Sequence, residues 1–243
     1  MTRPTAAILV IGDEILAGRT RESNMHHLAG VLSARGLALV EARIVPDDHA
    51  AIIAAVRALS AGVDHLFTSG GIGPTHDDIT AEAVAAAFEV SIGVRDDARA
   101  RLAAHYAARG EALNEARLRM ARIPEGATLI DNPVSAAPGF SLGNVHVMAG
   151  VPRIFAAMLE GLLERLPEAA PLASRSVVVR RGEGEIAAPL AALATEFPDL
   201  RLGSYPFFEA SGAGAKLVVS GDDPARVDIA MERLAALFSD AFD

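Results

Sequence analysis

The segment Ser69-Gly70-Gly71-Ile72-Gly73-Pro74-Thr75-His76-Asp77-Asp78-Ile79-Thr80 is the part of this sequence whose residue types and spacing are best suited to chemistry. Gly70, Gly71 and Gly73 remove Cβ atoms that would hold a phosphate away from the backbone. A helix starting behind the loop would add unpaired N–H groups and a partial positive charge, which suits the segment to an anion. The spacing matches neither the dinucleotide-binding nor the Walker pattern, and a plain structural turn competes evenly with the anion cradle. Two other segments carry acids, Gly12-Asp13-Glu14-Ile15-Leu16-Ala17-Gly18 and Val45-Pro46-Asp47-Asp48. Carboxylates beside a phosphate repel it unless a cation lies between them. A magnesium-type ion, bound by carboxylates and phosphate oxygens together, resolves that conflict. The competing reading is helix capping, worth about 0.5–2 kcal/mol per cap; it is preferred for Asp48 and stays open for Asp47 and Asp78.

The remaining reactive residue types point elsewhere or nowhere. There is no cysteine, which excludes disulfides, thiolate zinc sites and a cysteine nucleophile. Of the histidines, His26 and His27 stand early in a helix, no pair has zinc spacing with a third ligand, and only His76 is placed to touch a substrate. Ser69 and Ser135 lack a histidine partner for nucleophilic catalysis. Basic residues number 22 against 31 acidic, for a net charge of −9, and they are scattered rather than gathered. Trp is absent and aromatics are 5%. Nucleic acid is therefore not the expected partner. The glutamates of Arg181-Gly182-Glu183-Gly184-Glu185 argue the same for RNA. The first apolar run, Ala6 to Ile11, is too short for a signal segment or a membrane span, so a cytoplasmic protein with no membrane partner is expected.

These loops need elements to hold them. Ala6 to Ile11 reads as a strand buried on both faces, and Met25, Leu28, Val31 and Leu32 as a helix stopped at Gly36. Leu37 to Val45 reads as a second strand, Ile52 to Leu59 as a helix, and Val63 to Thr68 as a third strand. The β-α-β-α-β alternation implies a parallel sheet with right-handed crossovers. A helix carrying Val84 and Phe88 follows, then helices from Asp96 to about Arg109 and through Leu118 and Ile123, a strand from Val145 to Met148 and a helix from Pro152. Ligands bind beyond the carboxyl ends of such strands, where the three loops would meet. Pro167 to Pro171 reads as a linker. Beyond it, Ser176–Arg180, Glu185–Phe197, Leu200–Tyr205, Lys216–Ser220 and Pro224–Phe238 read as β-α-β-β-α.

Gly12-Asp13-Glu14-Ile15-Leu16, Ser23-Asn24, Val45-Pro46-Asp47-Asp48, Gly70 through Thr80, Asn132-Pro133-Val134, Ala137-Pro138-Gly139-Phe140 and Gly150-Val151-Pro152 occur in one order. Over about residues 5 to 165 the sequence thereby resembles the MoaB/Mog-like molybdopterin-binding domain of the CinA family and of the N-terminal half of eukaryotic FAD synthase. Gly182-Glu183-Gly184-Glu185 and Leu202-Gly203-Ser204-Tyr205-Pro206 resemble the small domain that follows in the same relatives. The resemblance implies a three-layer α/β/α domain with a mostly parallel sheet over residues 1–168 and a small KH-like α+β domain over 174–243. The amidase domain of long CinA proteins is not expected here. The implied activity is divalent-metal-dependent pyrophosphate hydrolysis of ADP-ribose or FAD, with Mg2+, Co2+ or Mn2+; non-catalytic binding of molybdopterin is the alternative. The implied catalytic residues are Asp47 and Asp78, and the implied metal ligands Asp13, Glu14, Asp77 and Asp78. Implied phosphate or nucleotide contacts are Gly12, Asn24, Ser69, Gly70, Gly71, Gly73, Pro74, Thr75, Thr80, Pro138, Gly139, Gly150 and Pro152. Relatives also imply a homodimer or homotrimer. Where the family often has Pro-Gly-Val-Pro-Ser-Glu, this chain has Ala149-Gly150-Val151-Pro152-Arg153-Ile154, which weakens any role carried over for that loop. Arg153 is read as a solvated helix-start residue in preference to a phosphate clamp.

Overall fold

A computed structural model of the chain describes residues 3–209 and 212–238. Two compact units form, Met1–Ala169 and Ala170–Asp243. In the first, β1 (Thr5–Ile11) is buried from Ala6 onward on both faces, as its continuous apolar run requires. A four-residue helix α1 (Asp13–Leu16) and then α2 (Asn24–Ala34) lead to β2 (Ala38–Val45). Next come α3 (His49–Ser60), β3 (His65–Ser69), α4 (Thr80–Ala87), β4 (Ile92–Val94), α5 (Asp96–Ala107) and α6 (Glu115–Leu118). A 3-10 turn (Arg119–Ala121) precedes β5 (Arg122–Pro124), β6 (Thr128–Ile130), β7 (Gly139–Leu142), β8 (Val145–Met148) and α7 (Pro152–Leu163).

Six strands make one sheet in the order β2-β1-β3-β8-β7-β6, while β4 and β5 pair separately. β1 runs parallel to β2 and β3, and β3 parallel to β8; β7 is antiparallel to both its neighbours. The two faces are covered by different helices. Leu28 and Leu32 of α2 and Phe155, Met158, Leu159 and Leu162 of α7 pack on Ala6, Ile8, Val10 and Phe67. Ile52, Val56 and Leu59 of α3, Ala83 and Val84 of α4 and Leu102 of α5 pack on Ala7, Leu9, Leu66 and Val147. The result is three layers, α/β/α.

The expected helix through Leu118 and Ile123 does not form. Asn114 caps a single turn, accepting from the N–H of Arg117 at 2.9 Å, and the chain then straightens into β5. Pro124 keeps Ile123 out of the helical region, and Arg122, extended and paired with Val94 of β4, ends the helical course earlier still, after Ala121. Strands β4 to β7 and helix α1 were not anticipated at all.

Ala170–Asp243 is built from β9 (Ala173–Val179), α8 (Glu183–Glu196), β10 (Arg201–Glu209), β11 (Gly212–Gly221) and α9 (Pro224–Leu237). The sheet is antiparallel with order β10-β11-β9. Its inner face, Val179, Ala215, Leu217 and Val219, packs against Ile186 and Leu193 of α8 and Val227, Ala230 and Leu234 of α9. Among the described residues no helix is long and apolar enough to cross a membrane.

One buried polar group in the first unit lies away from the loops at the carboxyl ends of β1 and β3. His146, 6% exposed, shares a hydrogen bond with His65 (Nε2 to Nδ1, 3.2 Å) and another with Ser141 (Nδ1 to Oγ, 2.9 Å). Burial, and secondarily the charge on His65, pulls the His146 imidazole down to about 4.

Candidate functional site

The topology creates a crevice before any side chain is considered. The chain leaves β1 toward α2 on one face of the sheet and leaves the adjacent β3 toward α4 on the other, so their loops part at the carboxyl edge. β8 delivers the Ala149–Pro152 loop to the same edge. So does the β6–β7 connection, because two antiparallel pairings in succession make β6 run the same way as β8.

A cavity of about 530 Å³ lies there, a volume in the range of small-molecule sites. Of the residues expected from sequence, Gly12, Glu14, Asp47, Gly70, Gly71, Gly73, Pro74, Asp77, Asp78, Gly150 and Pro152 line it. Asp13, Asn24, Ser69, Thr75, Thr80, Pro138 and Gly139 do not. Most of these hold the loops in place. Asn24, 5% exposed, donates from Nδ2 both to Ser69 Oγ and to Gly150 O, each at 2.7 Å, and so ties α2 to the ends of β3 and β8. Thr80 is fully buried and its Oγ1 donates to Gly70 O at 3.0 Å. Gly139 is buried within β7, and Pro138 lines a smaller recess beside the cavity. His76 is almost wholly exposed and does not line the cavity; neither does Arg153, which is exposed.

The glycines act differently from the sequence expectation. Gly70 and Gly71 have φ of +112° and +68°. A Cβ on Gly70 would overlap Ile11 O, and one on Gly71 would overlap Thr80 Oγ1. Their missing side chains therefore let the loop close on its own framework rather than clearing room for a ligand. The N–H groups are another matter. Gly70 donates to Met148 O at 3.1 Å, whereas those of Gly71, Ile72 and Gly73 have no acceptor among the described residues. Three successive free donors on a cavity wall suit an anion.

The acids divide by role. Asp48 caps α3, accepting from Ala51 N at 2.8 Å, as preferred from sequence. Asp47 accepts instead from Asp13 N at 2.9 Å and so fixes the start of α1. Burial raises the Asp47 carboxyl above the ordinary carboxylate value; the Asp13 N–H opposes this, and the charges of Asp13, Glu14 and Asp77 push it further up. Asp78 is not a helix cap. Its Oδ2 accepts from the N–H and the hydroxyl of Thr75, at 2.8 and 2.5 Å, and α4 starts without a side-chain cap. Asp13, Glu14, Asp77 and Asp78 are not drawn into a preformed cluster. No three acidic or histidine side chains among the described residues are placed to hold a metal ion unaided.

The cavity also has lining that sequence reasoning missed: Ile11, Thr20, Ile72, Met120, Asn132, Ser135, Ala137, Ala149, Val151 and Ile154. Asn132 is 6% exposed and holds the β6–β7 loop, donating to Ser135 Oγ at 2.7 Å and Ala137 O at 2.8 Å while accepting from the N–H groups of Val134 and Ser135. An Asn-Pro pair ahead of small residues was the available signal for that loop.

Two family models match the chain: "Probable molybdopterin binding domain" over residues 7–168 and "FAD synthase, middle domain" over 171–242. A protein of Archaeoglobus fulgidus is 32% identical over 96% of this chain and 97% of its own length. A probable FAD synthase of Caenorhabditis elegans is 31% identical over 98% of this chain, which spans half of that protein. A CinA-like protein of Desulfosudis oleivorans is 37% identical over 66% of this chain and 40% of its own length. Among solved structures, CinA from Thermoplasma acidophilum, described as a protein with unknown function, superposes with a TM-score of 0.62 at 33% identity, over 67% of this chain and 98% of that one. With its MoaB/Mog-like first unit and a FAD synthase middle domain behind it, the chain belongs to the CinA family.

Proposed function

We propose that the chain is a nucleotide pyrophosphatase that hydrolyses ADP-ribose or FAD to AMP and a phosphorylated product, with Mg2+, Co2+ or Mn2+ as its cation. The observation that carries this reading is the mixed lining of one cavity. Ile11, Ile72, Met120, Val151 and Ile154 offer apolar surface to a heterocycle, while Glu14, Asp47, Asp77 and Asp78 share the wall with the free N–H groups of Gly71, Ile72 and Gly73. Donors for an anion beside an excess of carboxylates call for a cation between them. The oxygen donors suit a hard divalent ion in kind; among the described residues no trio of acidic or histidine side chains is preassembled, so a cation held by Glu14, Asp47, Asp77 or Asp78 would need the ligand's own phosphate oxygens as well. When bound, the cation withdraws charge from phosphorus and screens the acids.

The chain's residues supply the rest. Asp47, with its raised proton affinity, takes a proton from water. The water oxygen bonds to one phosphorus, and the bond from that phosphorus to the bridging oxygen breaks, the bridging oxygen leaving with the other phosphate. The Gly71–Gly73 N–H groups meet the charge that builds on the non-bridging oxygens. Asp78, held at Oδ2 by Thr75, keeps Oδ1 unbonded on the cavity wall.

A second reading, a non-catalytic binding protein for molybdopterin or a related phosphorylated ligand, is favoured by the lack of a preassembled cation trio among the described residues. The two separate on AMP release when the purified chain is mixed with ADP-ribose and each of the three cations. Asp47→Asn and Asp78→Asn should each lower release by ~100-fold or more. Metal-free binding of ADP-ribose should be kept or tightened in both, since each removes one negative charge. Binding without any AMP from the parent chain sinks the hydrolytic reading and leaves the binding one; full turnover by Asp78→Asn removes Asp78 from the chemistry.

A further inference from the structure

Beside the main cavity is a recess of about 20 Å³, and the two share Gly71, Ile72, Gly73, Asp78 and Met120 in their walls. A space of that size takes one water or one oxygen atom of a larger ligand, not a ring or a whole phosphate group. Arg119, the first residue of the 3-10 turn ahead of β5, lines it. The arginines on either side are engaged. Arg117 pairs with Glu111 and lies over the Tyr106 ring, 4.1 Å from its centroid, and Arg122 pairs with Glu82. Arg119 has no side-chain hydrogen bond, ion pair or ring contact among the described residues, and its Nε is buried. A buried guanidinium N–H without an acceptor is unfavourable by the whole of its desolvation, and an acceptor that arrives with a ligand removes that cost.

We propose that Arg119 is the anion anchor of the site: its guanidinium takes a phosphate oxygen of the bound ligand seated in the recess, next to the oxygens met by the N–H groups of Gly71, Ile72 and Gly73. This rests on the reading that the cavity holds a phosphorylated ligand, and deepens it by naming a residue that recognises the phosphate. Three features converge on it. The recess admits one oxygen, the glycine loop that walls it carries free donors, and of the two arginines that line it Arg122 is held by Glu82, which lines it too, while Arg119 has no partner among the described residues. Glu14, Asp47, Asp77 and Asp78 put an excess of carboxylates on the cavity wall, and a guanidinium beside them offsets their repulsion of an anion.

The test uses the full chain in EDTA, so that no cation contributes, with calorimetric titration of ADP-ribose, AMP and inorganic pyrophosphate into the parent, Arg119→Met and Arg119→Lys. ADP-ribose and pyrophosphate present a diphosphate and AMP a monoester, so the ligand that shows the largest dependence on Arg119 tells which phosphate reaches the recess. Arg119→Met should weaken that ligand roughly 10- to 100-fold, the range of a lost charge-assisted hydrogen bond. Its thermal midpoint without ligand should be unchanged or higher, because an unpaired buried donor has been removed, and Arg119→Lys should recover part of the affinity. Equal affinity in parent and Arg119→Met overturns the proposal, as does a parent that binds none of the three. A loss of affinity that comes with a lowered midpoint and no recovery in Arg119→Lys also overturns it, in favour of a structural role. AMP release is followed separately with Mg2+ present. Binding that depends on Arg119 without AMP release keeps the anchor and ends the hydrolytic reading.

Discussion

Asp48 and Asp78 are each the second acid of a pair, each two residues or fewer from a helix, yet they do different work. Asp48 turns forward to cap α3, while Asp78 turns back to Thr75 and leaves α4 uncapped. Thr75, three residues before Asp78, gives that carboxylate a local partner that Asp48 lacks, and the contact of Thr80 with the Gly70–Gly71 turn sets where α4 begins. A residue whose role is cleaner to test is His146. Its folded form holds off protonation until about pH 4, against 6.5 for the free side chain. Between those values the unfolded chain binds a proton that the folded chain refuses. The stability this residue contributes is therefore whole above 6.5 and is lost as pH falls from there toward 4, amounting to about 3 kcal/mol. His65, also lowered by burial though raised somewhat by Asp64, adds in the same direction. His146→Gln keeps hydrogen-bonding atoms without the titration. The gap in urea midpoint between parent and variant should narrow between about pH 7 and about pH 4.5, and a gap that stays constant would show that His146 does not carry the effect.

At the scale of elements, the glycine turn and α4 stand or fall together. Gly71→Ala combines a positive φ with overlap of Thr80 Oγ1, so the variant should lose stability as well as ligand affinity, by about 1–3 kcal/mol from the backbone conformation alone. Removing the obstructing hydroxyl in Gly71→Ala/Thr80→Ala should return part of that loss, even though Thr80→Ala by itself leaves Gly70 O unpaired and is destabilising. Chemical denaturation of the four chains measures the coupling, and simple additivity would mean the two residues do not touch. Legibility from sequence followed the same physics. β1 was readable from its continuous apolar run and α2, α3 and α7 from helical spacing of apolar residues, while the short β3 and β8 were read from their place in the alternation of strands and helices. β4, β5 and β6 have three residues each, too few for alternation to show, and exist because tertiary partners pair with them. The loops after β1, β2 and β3 were identified as the site from their residue types, and the family resemblance added Pro138, Gly139, Gly150 and Pro152; Asn132, Ser135 and Ala137 were not named as contacts, and their place at this edge follows from the direction of β6, which the antiparallel β7 reveals.

At the scale of the whole molecule, every residue lining the cavity lies between Ile11 and Ile154, inside Met1–Ala169, which has its own two apolar clusters. Residues 1–169 expressed alone should unfold cooperatively and bind ADP-ribose within about threefold of the full chain, the spread that independent units allow. Loss of binding by a folded fragment would make Ala170–Asp243 part of the recognition. The double hydrogen bond of Asn24, reaching Ser69 and Gly150, has a consequence in time. During synthesis, Asn24 emerges 126 residues before Gly150 and Gly70 emerges 78 residues (148 − 70) before Met148, so no acceptor is yet available for the Gly70 N–H or for the second Asn24 donor. A ribosome-bound chain shorter than about 154 residues thus has no site, and a ligand present in the medium favours only finished domains, pulling completed chains out of the pool of partly folded ones.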